Sequence, residues 1–600
     1  MPVNFGGNLD ALSVWLRSEY RDAIAARRSY EYMLDEWDRQ YEMQPRVAVK
    51  SFPWPNASNL ETPVGATHTD TIVSRLETAY FSTQPYVVVR ALQGKYVENA
   101  QALQDYMNQV SLPNSGYRRE KAIDLLAMTK LGTSFQWLTY EYKTKHVRRA
   151  DNSMKQVVVH EGPLQRFVHP RHLIAPPDAR DIENARWLTV RNYKTWGELT
   201  STYSPATLTD LEGLWTNNNI DYKRERRQGI RRVGQLHTWE VPTTYCLYQE
   251  EPYGPLLDLW VDWHYPSGKI IRAIYNPYDH ARWPLSKTQY MHRESAFSGI
   301  GVMAMLSTIQ EEITTIHNYC LDNLLAANTV VALGKKNSIK SLEIAPMSLI
   351  EYTGNKDDIR FERIGSALSG QQVGEASANA YAERRTGVSE GNVNRAAPQR
   401  GLSSSRTPAT TTLALIGESN KRFQLAIENS KQADSELLMQ HAMLLKQFWP
   451  RQRRYADLWH PDKANLIDKL FAIETELFKH NIVIEVAASS SSVNQELEKQ
   501  NMLVLGNYMK EFYGLFLMFV RMQAEAPQLE PLIKKIINGI STFAERLLRT
   551  FDVRDPERFI LRLDDIGASV AAQPLQGAEE FTNAFVRGEA VGATNGTAGR

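Results

Sequence analysis

Cysteine is scarce in this sequence of 600 residues. Only Cys246 and Cys320 occur, so neither a disulfide framework nor a cysteine-rich zinc site can form within one chain. So few cysteines fit a protein from a reducing compartment. We expect no metal and no other cofactor.

Long hydrophobic runs are also missing. No uninterrupted apolar stretch reaches the roughly 18 residues that a membrane span needs. The first residues, MPVNFGGNLDALSVW, lack the basic and then apolar regions of a signal peptide. These absences predict a soluble cytoplasmic protein without a membrane partner.

Neither sign of charge is in clear excess. The chain carries 69 basic and 68 acidic side chains, for a net charge of +1. This balance excludes a protein that binds polyanions over its whole surface. Any contact with nucleic acid must therefore be local.

Common catalytic motifs are absent. The sequence has no G-x-x-x-x-G-K-[ST], no H-E-x-x-H and no G-x-S-x-G, so we predict that the protein is not an enzyme.

The stretch from Gly299 to Ala304 matches G-x-G-x-x-A, and Asp322 follows about twenty residues later, as in a dinucleotide fingerprint. No buried parallel strand precedes these glycines, so a sharp turn into a helix is the favoured interpretation.

Three histidines lie close together in the sequence, at His160, His169 and His172, with acidic residues nearby. Their segment is broken by prolines, so the spacing of three does not place them on one face of a regular helix. We interpret them as surface and turn histidines instead of metal ligands.

The order of apolar patterns indicates an α+β fold. A mostly helical beginning gives way, between residues 134 and 290, to alternating segments typical of antiparallel strands. A helix then begins near Val302, with Ile309, Ile313 and Ile316 on its packing face and Glu311, Asn318 and Asp322 on the face expected to meet water. A second helix pattern of nearly forty residues follows residue 410, and a strand is predicted at 482–487.

One long polar segment separates these helix patterns. Residues 391–417 contain Arg395, Arg400 and Arg406 and no carboxylate. A loop of this length is usually either functional or disordered. From composition alone, a solvent-exposed connector is the simpler interpretation.

Four stretches, taken in order, resemble the portal proteins of tailed bacteriophages. They are FPWPNASNLETPVGATHTDTIVSRLETAYFSTQPYVVVR, HLIAPPDARDIENARWL, SAFSGIGVMAMLSTIQEEITTIHNYCLDNLL, and RRTGVSEG with the basic loop after it. The resemblance covers most of the chain, and its specificity comes from the order of the four stretches, with a small β insert between two helices. It implies a portal-type elongated subunit with a mostly helical wing and stem, β segments in wing and clip, and a helical crown.

The same resemblance implies a division of the chain. Residues 1–298 would form the wing, 299–333 the first stem helix, 334–366 the clip, 367–388 the second stem helix, 389–409 the tunnel loop, 410–490 the long helix and return to the wing, 491–566 the crown and 567–600 a flexible tail. Copies would assemble into a ring, commonly of twelve, at one capsid vertex of the virion, after synthesis in the host cytoplasm.

Partners and site residues follow from this resemblance. Double-stranded DNA would pass through the ring, which would contact the terminase large subunit, major capsid and scaffolding proteins, and head-tail adaptor or tail proteins. Arg395, Arg400 and Arg406 would touch DNA from the tunnel loop, while Glu311 and Asp322 would face the channel. Another structural virion or adaptor protein remains an alternative, and a nucleotide-binding enzyme is a remote one.

Overall fold

The computed structural model describes most of the first 487 residues and little of the remainder. The described residues are 3–51, 55–82, 85–148, 153–216, 237–328, 330–334, 359–363, 368–388, 409–487 and 505–514, with single residues at 518, 542 and 544. The chain divides into two compact units, Met1–Val493 and Asn494–Arg600. In the second unit, residues 505–514 are helical, and every element named below belongs to the first unit.

Helices open the first unit and return after the β region. They are α1 Leu9–Ala26, α2 Arg28–Tyr41, α3 Val64–Phe81, α4 Val97–Tyr106, α5 Leu112–Ser115, α6 Tyr117–Leu131, α7 Trp196–Thr202, α8 Pro205–Leu208, α9 Val302–Asn328, α10 Leu368–Thr386, α11 Ala409–Gln447, α12 Trp449–Trp459, α13 Pro461–Phe471 and α14 Thr475–Asn481. No helix in the described ranges is long and apolar enough to cross a membrane.

Strands fill the middle of the unit and recur at its end. They are β1 Val87–Ala91, β2 Thr133–Arg148, β3 Met154–Val168, β4 Leu173–Ile174, β5 Trp187–Val190, β6 Tyr193–Lys194, β7 Trp239–Glu240, β8 Thr243–Tyr248, β9 Leu257–Trp263, β10 Ile270–Tyr275, β11 Leu285–Gln289, β12 Val330–Gly334, β13 Ile359–Arg363 and β14 Ile482–Val486. All described pairings are antiparallel. The predicted α+β class is therefore confirmed as mixed helix and antiparallel sheet.

Two larger sheets hold the β region together. One has the strand order β10-β9-β8-β5-β4 and the other β11-β2-β3. Apolar side chains from both sheets, such as Leu138 and Tyr245, are buried with Leu437 and Leu444 of α11 in one cluster. The two sheets and the long helix α11 therefore share one hydrophobic core.

Local signals explain where several helices begin and end. The side chain of Asn8 accepts hydrogen bonds from the first turn of α1, and Thr195 with Glu198 forms a capping box at α7. Helix α6 ends at Gly132, whose φ of 88° lies in the left-handed region that glycine adopts readily.

A buried ionic cluster joins α6 to α11. The Lys121 Nζ atom donates to the carboxylates of Asp124 at 2.8 Å and Asp434 at 2.9 Å, and to the Ser430 hydroxyl at 2.8 Å. The side chains of Lys121 and both aspartates are almost fully buried. Burial raises the pKa of Asp434 to about 6, against the opposing effect of Lys121. Pairing with Lys121 therefore stabilises the buried carboxylates at this contact between helices.

Acid should destabilise the unit through two buried histidines. Burial lowers the pKa of His441, which lies beside the Ser111 hydroxyl, to about 3, and lowers that of His280 to about 4, with nearby cations adding to the effect. The unfolded side chains take up protons near pH 6.5 while the folded ones stay neutral. Stability that is present above this pH is therefore lost as the pH falls, by about 2 kcal/mol per histidine at pH 5.

The variant His441→Gln should remove one of these two contributions. Between about pH 7.5 and pH 5, its free energy of unfolding, measured in urea, should fall by about 2 kcal/mol less than that of the unchanged protein. His146→Gln, at an exposed position, is the control and should change nothing. An unaltered pH dependence in His441→Gln would show that His441 takes up protons in the folded protein too.

Candidate functional site: the helix-strand-helix segment

A helix, a two-stranded sheet and a second helix follow one another between Val302 and Thr386. Helix α9 has 27 residues and is roughly 40 Å long at about 1.5 Å per residue. The strands β12 and β13 pair antiparallel, with Val330 opposite Arg363 and Gly334 opposite Ile359, and α10 packs back along α9. We call this the helix-strand-helix segment.

Three glycines allow α9 to begin against the end of α6. A Cβ atom on Gly301 would lie 2.3 Å from the Gly132 backbone nitrogen, and one on Gly299 would lie 2.6 Å from the Gly132 carbonyl oxygen. The Gly299 amide donates to the Thr133 hydroxyl at 2.7 Å. The Gly-x-Gly pattern thus serves close backbone packing, in agreement with the turn that was favoured over a nucleotide fingerprint.

Gly301→Ala should therefore be strongly destabilising. Its Cβ atom meets backbone instead of a flexible side chain, so the start of α9 must shift, at a cost of about 3 kcal/mol. Gly370→Ala is the matched control in α10, because a Cβ there meets nothing within 4 Å. Thermal unfolding should separate the two variants, and equal melting temperatures would contradict the close contact.

A polar stripe along α9 is buried, contrary to the expectation that this face meets water. The Gln310 side chain accepts from the Gly65 amide at 2.9 Å. Asn318 pairs with both backbone groups of Leu60, at 2.9 and 2.8 Å. The Thr314 hydroxyl accepts from the Thr62 amide at 3.2 Å and lies 2.8 Å from the Thr62 hydroxyl. The stripe fastens residues 58–65, an irregular segment that leads into the first turn of α3, to the helix by satisfying backbone groups that have no partner within a strand or helix.

Asp322 belongs to this buried stripe, so its predicted position on a water-facing side is wrong. Its side chain is buried, and one carboxylate oxygen accepts from the Ser58 amide at 2.8 Å. The physical reason is that residues 58–65 offer backbone donors that a helical wheel cannot include. Glu311 differs, since its half-exposed carboxylate lies 3.9 Å from the Arg46 guanidinium.

The three isoleucines predicted to pack occupy different depths. Ile313 is buried, whereas Ile309 is partly buried against the main core. Ile316 faces α10, where a Cβ added to Gly374 would touch its terminal methyl at 3.4 Å. These three isoleucines therefore make contacts within the chain, and their role in a ring stays a prediction.

Small residues let α10 approach α9. Ala378 and Ala382 are buried at intervals of four residues after Gly374, which places them on one face of the helix. The His317 ring also lies 3.7 Å from the Glu375 carboxylate across the helix pair. The small side chains on this face of α10 thus produce a close helix pair.

The surfaces of both helices carry large apolar side chains that are about half to three-quarters exposed. On α9 the exposed fractions are 47% for Tyr319 and 58% for Leu325, and on α10 they are 71% for Val373 and 56% for Tyr381. Apolar side chains of this size gain free energy when another molecule buries them.

Arg395, Arg400 and Arg406, predicted to contact DNA, lie outside the described residues, as do most of 334–366, most of 491–566 and all of 567–600. His160 contacts the Gly162 carbonyl, and the His169 ring accepts from the Arg171 amide. Within the described ranges, no group of three or more His, Cys, Asp or Glu side chains could hold a metal ion.

Comparison with known proteins found similarity among solved structures. No protein-family model and no curated protein matches the sequence. A solved chain from the neck of an empty GTA particle, computed with C6 symmetry, is similar over 74% of this chain and 86% of its own length. Its TM-score is 0.32 and its identity 9%, too low to carry an argument about this chain.

Proposed function

We propose that the protein is the portal of a phage-like particle, a ring of about twelve copies at one capsid vertex. DNA would enter and leave through the ring, and the terminase large subunit and the tail adaptors would dock on it in turn. Capsid and scaffolding proteins would hold the ring in the shell. The sequence resemblance supplies this proposal, and the helix-strand-helix segment is the observation that carries it.

That segment supports a ring because its two helices bury apolar side chains where they face each other and expose others elsewhere. Their facing surfaces are closed by Ile316, Gly374 and Ala378, while Tyr319, Leu325 and Val373 remain outside. A second copy of the same segment is the partner that fits an apolar helical surface repeated in every subunit. Contacts between different patches of identical chains close into rings when the rotation allows it.

We also propose that the protein hydrolyses no nucleotide. The sequence has no phosphate-binding loop, and Asp322, the acid of the fingerprint-like pattern, is occupied by the Ser58 amide. Energy for DNA movement would come from the separate terminase.

The polar segment 391–417 with its three arginines, which we call the arginine loop, supplies the test of the DNA role. Replacing Arg395, Arg400 and Arg406 together by alanine should leave assembly intact and lower the yield of packaged DNA several-fold, because cations repeated around a ring make exchangeable, salt-dependent contacts with phosphates. The measurement is nuclease-protected DNA per particle at low and high salt.

A matched control removes three exposed arginines elsewhere, at Arg21, Arg28 and Arg180, and should leave packaging unchanged. If the triple loop variant packages and retains DNA normally at every salt concentration, the loop is only a connector.

A further inference from the structure

The β2-β3 hairpin extends well beyond the sheet in which it begins. Every described residue in 142–148 and 153–159 is exposed except Thr144, and the two strands remain paired to Arg148 and Met154. We call residues 142–148 and 153–159 the arm. From Lys143 to Arg148 it spans roughly 17 Å, at about 3.4 Å per residue.

The base of the arm is fixed to α12. The Gln452 amide donates to the Tyr140 hydroxyl at 3.1 Å and to the Glu161 carbonyl at 2.9 Å, and the rings of Tyr140 and Phe448 stack 3.9 Å apart. Arg454 also pairs with the Glu161 carboxylate. The arm is thus presented by a well-packed base, although no other described element packs along its outer part.

The arm concentrates positive charge in a chain that has almost none in excess. Its two strands, YKTKHVR and SMKQVVV, have four lysines and arginines and no acid, while the whole chain has a net charge of +1. The arm therefore carries a net charge of +4 and the remainder of the chain −3. Its described residues include Lys143, Lys145, Arg148 and Lys155 and no acid.

The register distributes these cations over both faces of the ribbon. Lys145 lies opposite Val157, and Lys155 lies opposite Val147, so both lysines point to one face. Arg148 lies opposite Met154 on the other face. Two-stranded ribbons of this width fit the major groove of B-form DNA, which is about 12 Å wide, and phosphates then lie on either side.

We propose that the arm binds double-stranded DNA through its phosphates, without reading sequence. The absence of acids among its described residues favours a polyanion over a protein surface of mixed charge, and a two-stranded hairpin is marginal in water without a partner. This contact goes beyond the channel role, because the arm and the arginine loop are different segments. It depends neither on a ring nor on the loop.

The test uses the full-length protein and relaxed, covalently closed circular duplex DNA, which cannot thread through a ring that has already closed. The variant K145Q/R148Q/K155Q removes three cations for which no acidic partner is described. Its affinity at about 50 mM salt should fall at least tenfold, and the slope of log affinity against log salt should decrease by up to about 2.7, at about 0.9 per lost phosphate contact. R28Q/K95Q/R180Q removes the same charge from exposed positions elsewhere and should bind as the unchanged protein does.

Two further variants distinguish DNA binding by the arm from binding by the arginine loop and from a contact between copies. R395Q/R400Q/R406Q should still bind the circle, so that failure of the channel proposal and failure of the arm proposal give different results. V147S/M154S should also keep DNA binding. The proposal is overturned if K145Q/R148Q/K155Q binds the circle normally, or if the unchanged protein does not bind it. It is also overturned if V147S/M154S alters the oligomeric state while K145Q/R148Q/K155Q leaves DNA binding intact. That last result would make the arm a contact between copies.

Discussion

Lys121→Met is expected to destabilise the protein by about 3–5 kcal/mol. The change removes the cation that lies between Asp124 and Asp434, both almost fully buried, and leaves two carboxylates unpaired in the contact between α6 and α11. Urea unfolding at pH 7 measures the loss. At pH 5 the loss should be smaller, because burial already raises the pKa of Asp434 to about 6 and protonation removes one of the two charges.

A second variant shows whether charge or shape causes this loss. Lys121→Met combined with Asp124→Asn and Asp434→Asn has similar volume and no buried charge, so most of the stability should return. If the triple variant is no more stable than Lys121→Met, packing of the lysine stem matters more than its charge, and the electrostatic account of the cluster is wrong.

Leu325→Asp is expected to abolish ring assembly while leaving the subunit folded. Leu325 is 58% exposed on α9, so a carboxylate there meets water in the single chain. Between copies it would be buried without a partner, at a cost of several kcal/mol in every contact of the ring. Light scattering with size-exclusion chromatography should find subunits or small oligomers in place of rings, with an unchanged melting temperature.

Leu458→Asp is the control for this variant. Leu458 is the more exposed leucine, at 86%, and lies on α12 away from the helix-strand-helix segment in sequence. It should leave the ring mass unchanged. Ile313→Asp is unsuitable for the comparison, because Ile313 is buried within its own chain and the substitution would unfold the subunit before it reached assembly. Equal assembly by Leu325→Asp and Leu458→Asp would contradict the proposed contact surface.

Elements with long, regular patterns were predictable from the sequence. The pattern beginning near Val302 is a helix to Asn328, and the pattern of nearly forty residues is the helix Ala409–Gln447. The strand expected at 482–487 occurs at Ile482–Val486. In each case the signal is local, because apolar spacing along one segment sets its secondary structure.

Contacts between distant segments were not predictable in the same way. The strand at 482–487 pairs with Val87–Ala91, and nothing in either segment specifies the other. Asp322 was placed in water because a helical wheel shows polarity without showing which backbone groups need partners. A usable signal did exist, since Gln310, Thr314, Asn318 and Asp322 recur every four residues on one face, as expected for a stripe that binds a neighbouring segment.

The polar stripe also shows why α9 can expose apolar residues elsewhere. Its hydrogen bonds hold the helix to residues 58–65 through Asn318 and Asp322, so that the helix does not depend on burying Tyr319 or Leu325. The proposed ring contact would bury those side chains.

Electron microscopy of the purified protein in negative stain tests the central proposal most directly. Class averages should show rings of about twelve units with a central hole wide enough for duplex DNA, roughly 20 Å or more, and Leu325→Asp should remove them. Single subunits, open filaments or closed assemblies without a hole, from the unchanged protein at micromolar concentration, would contradict the portal assignment.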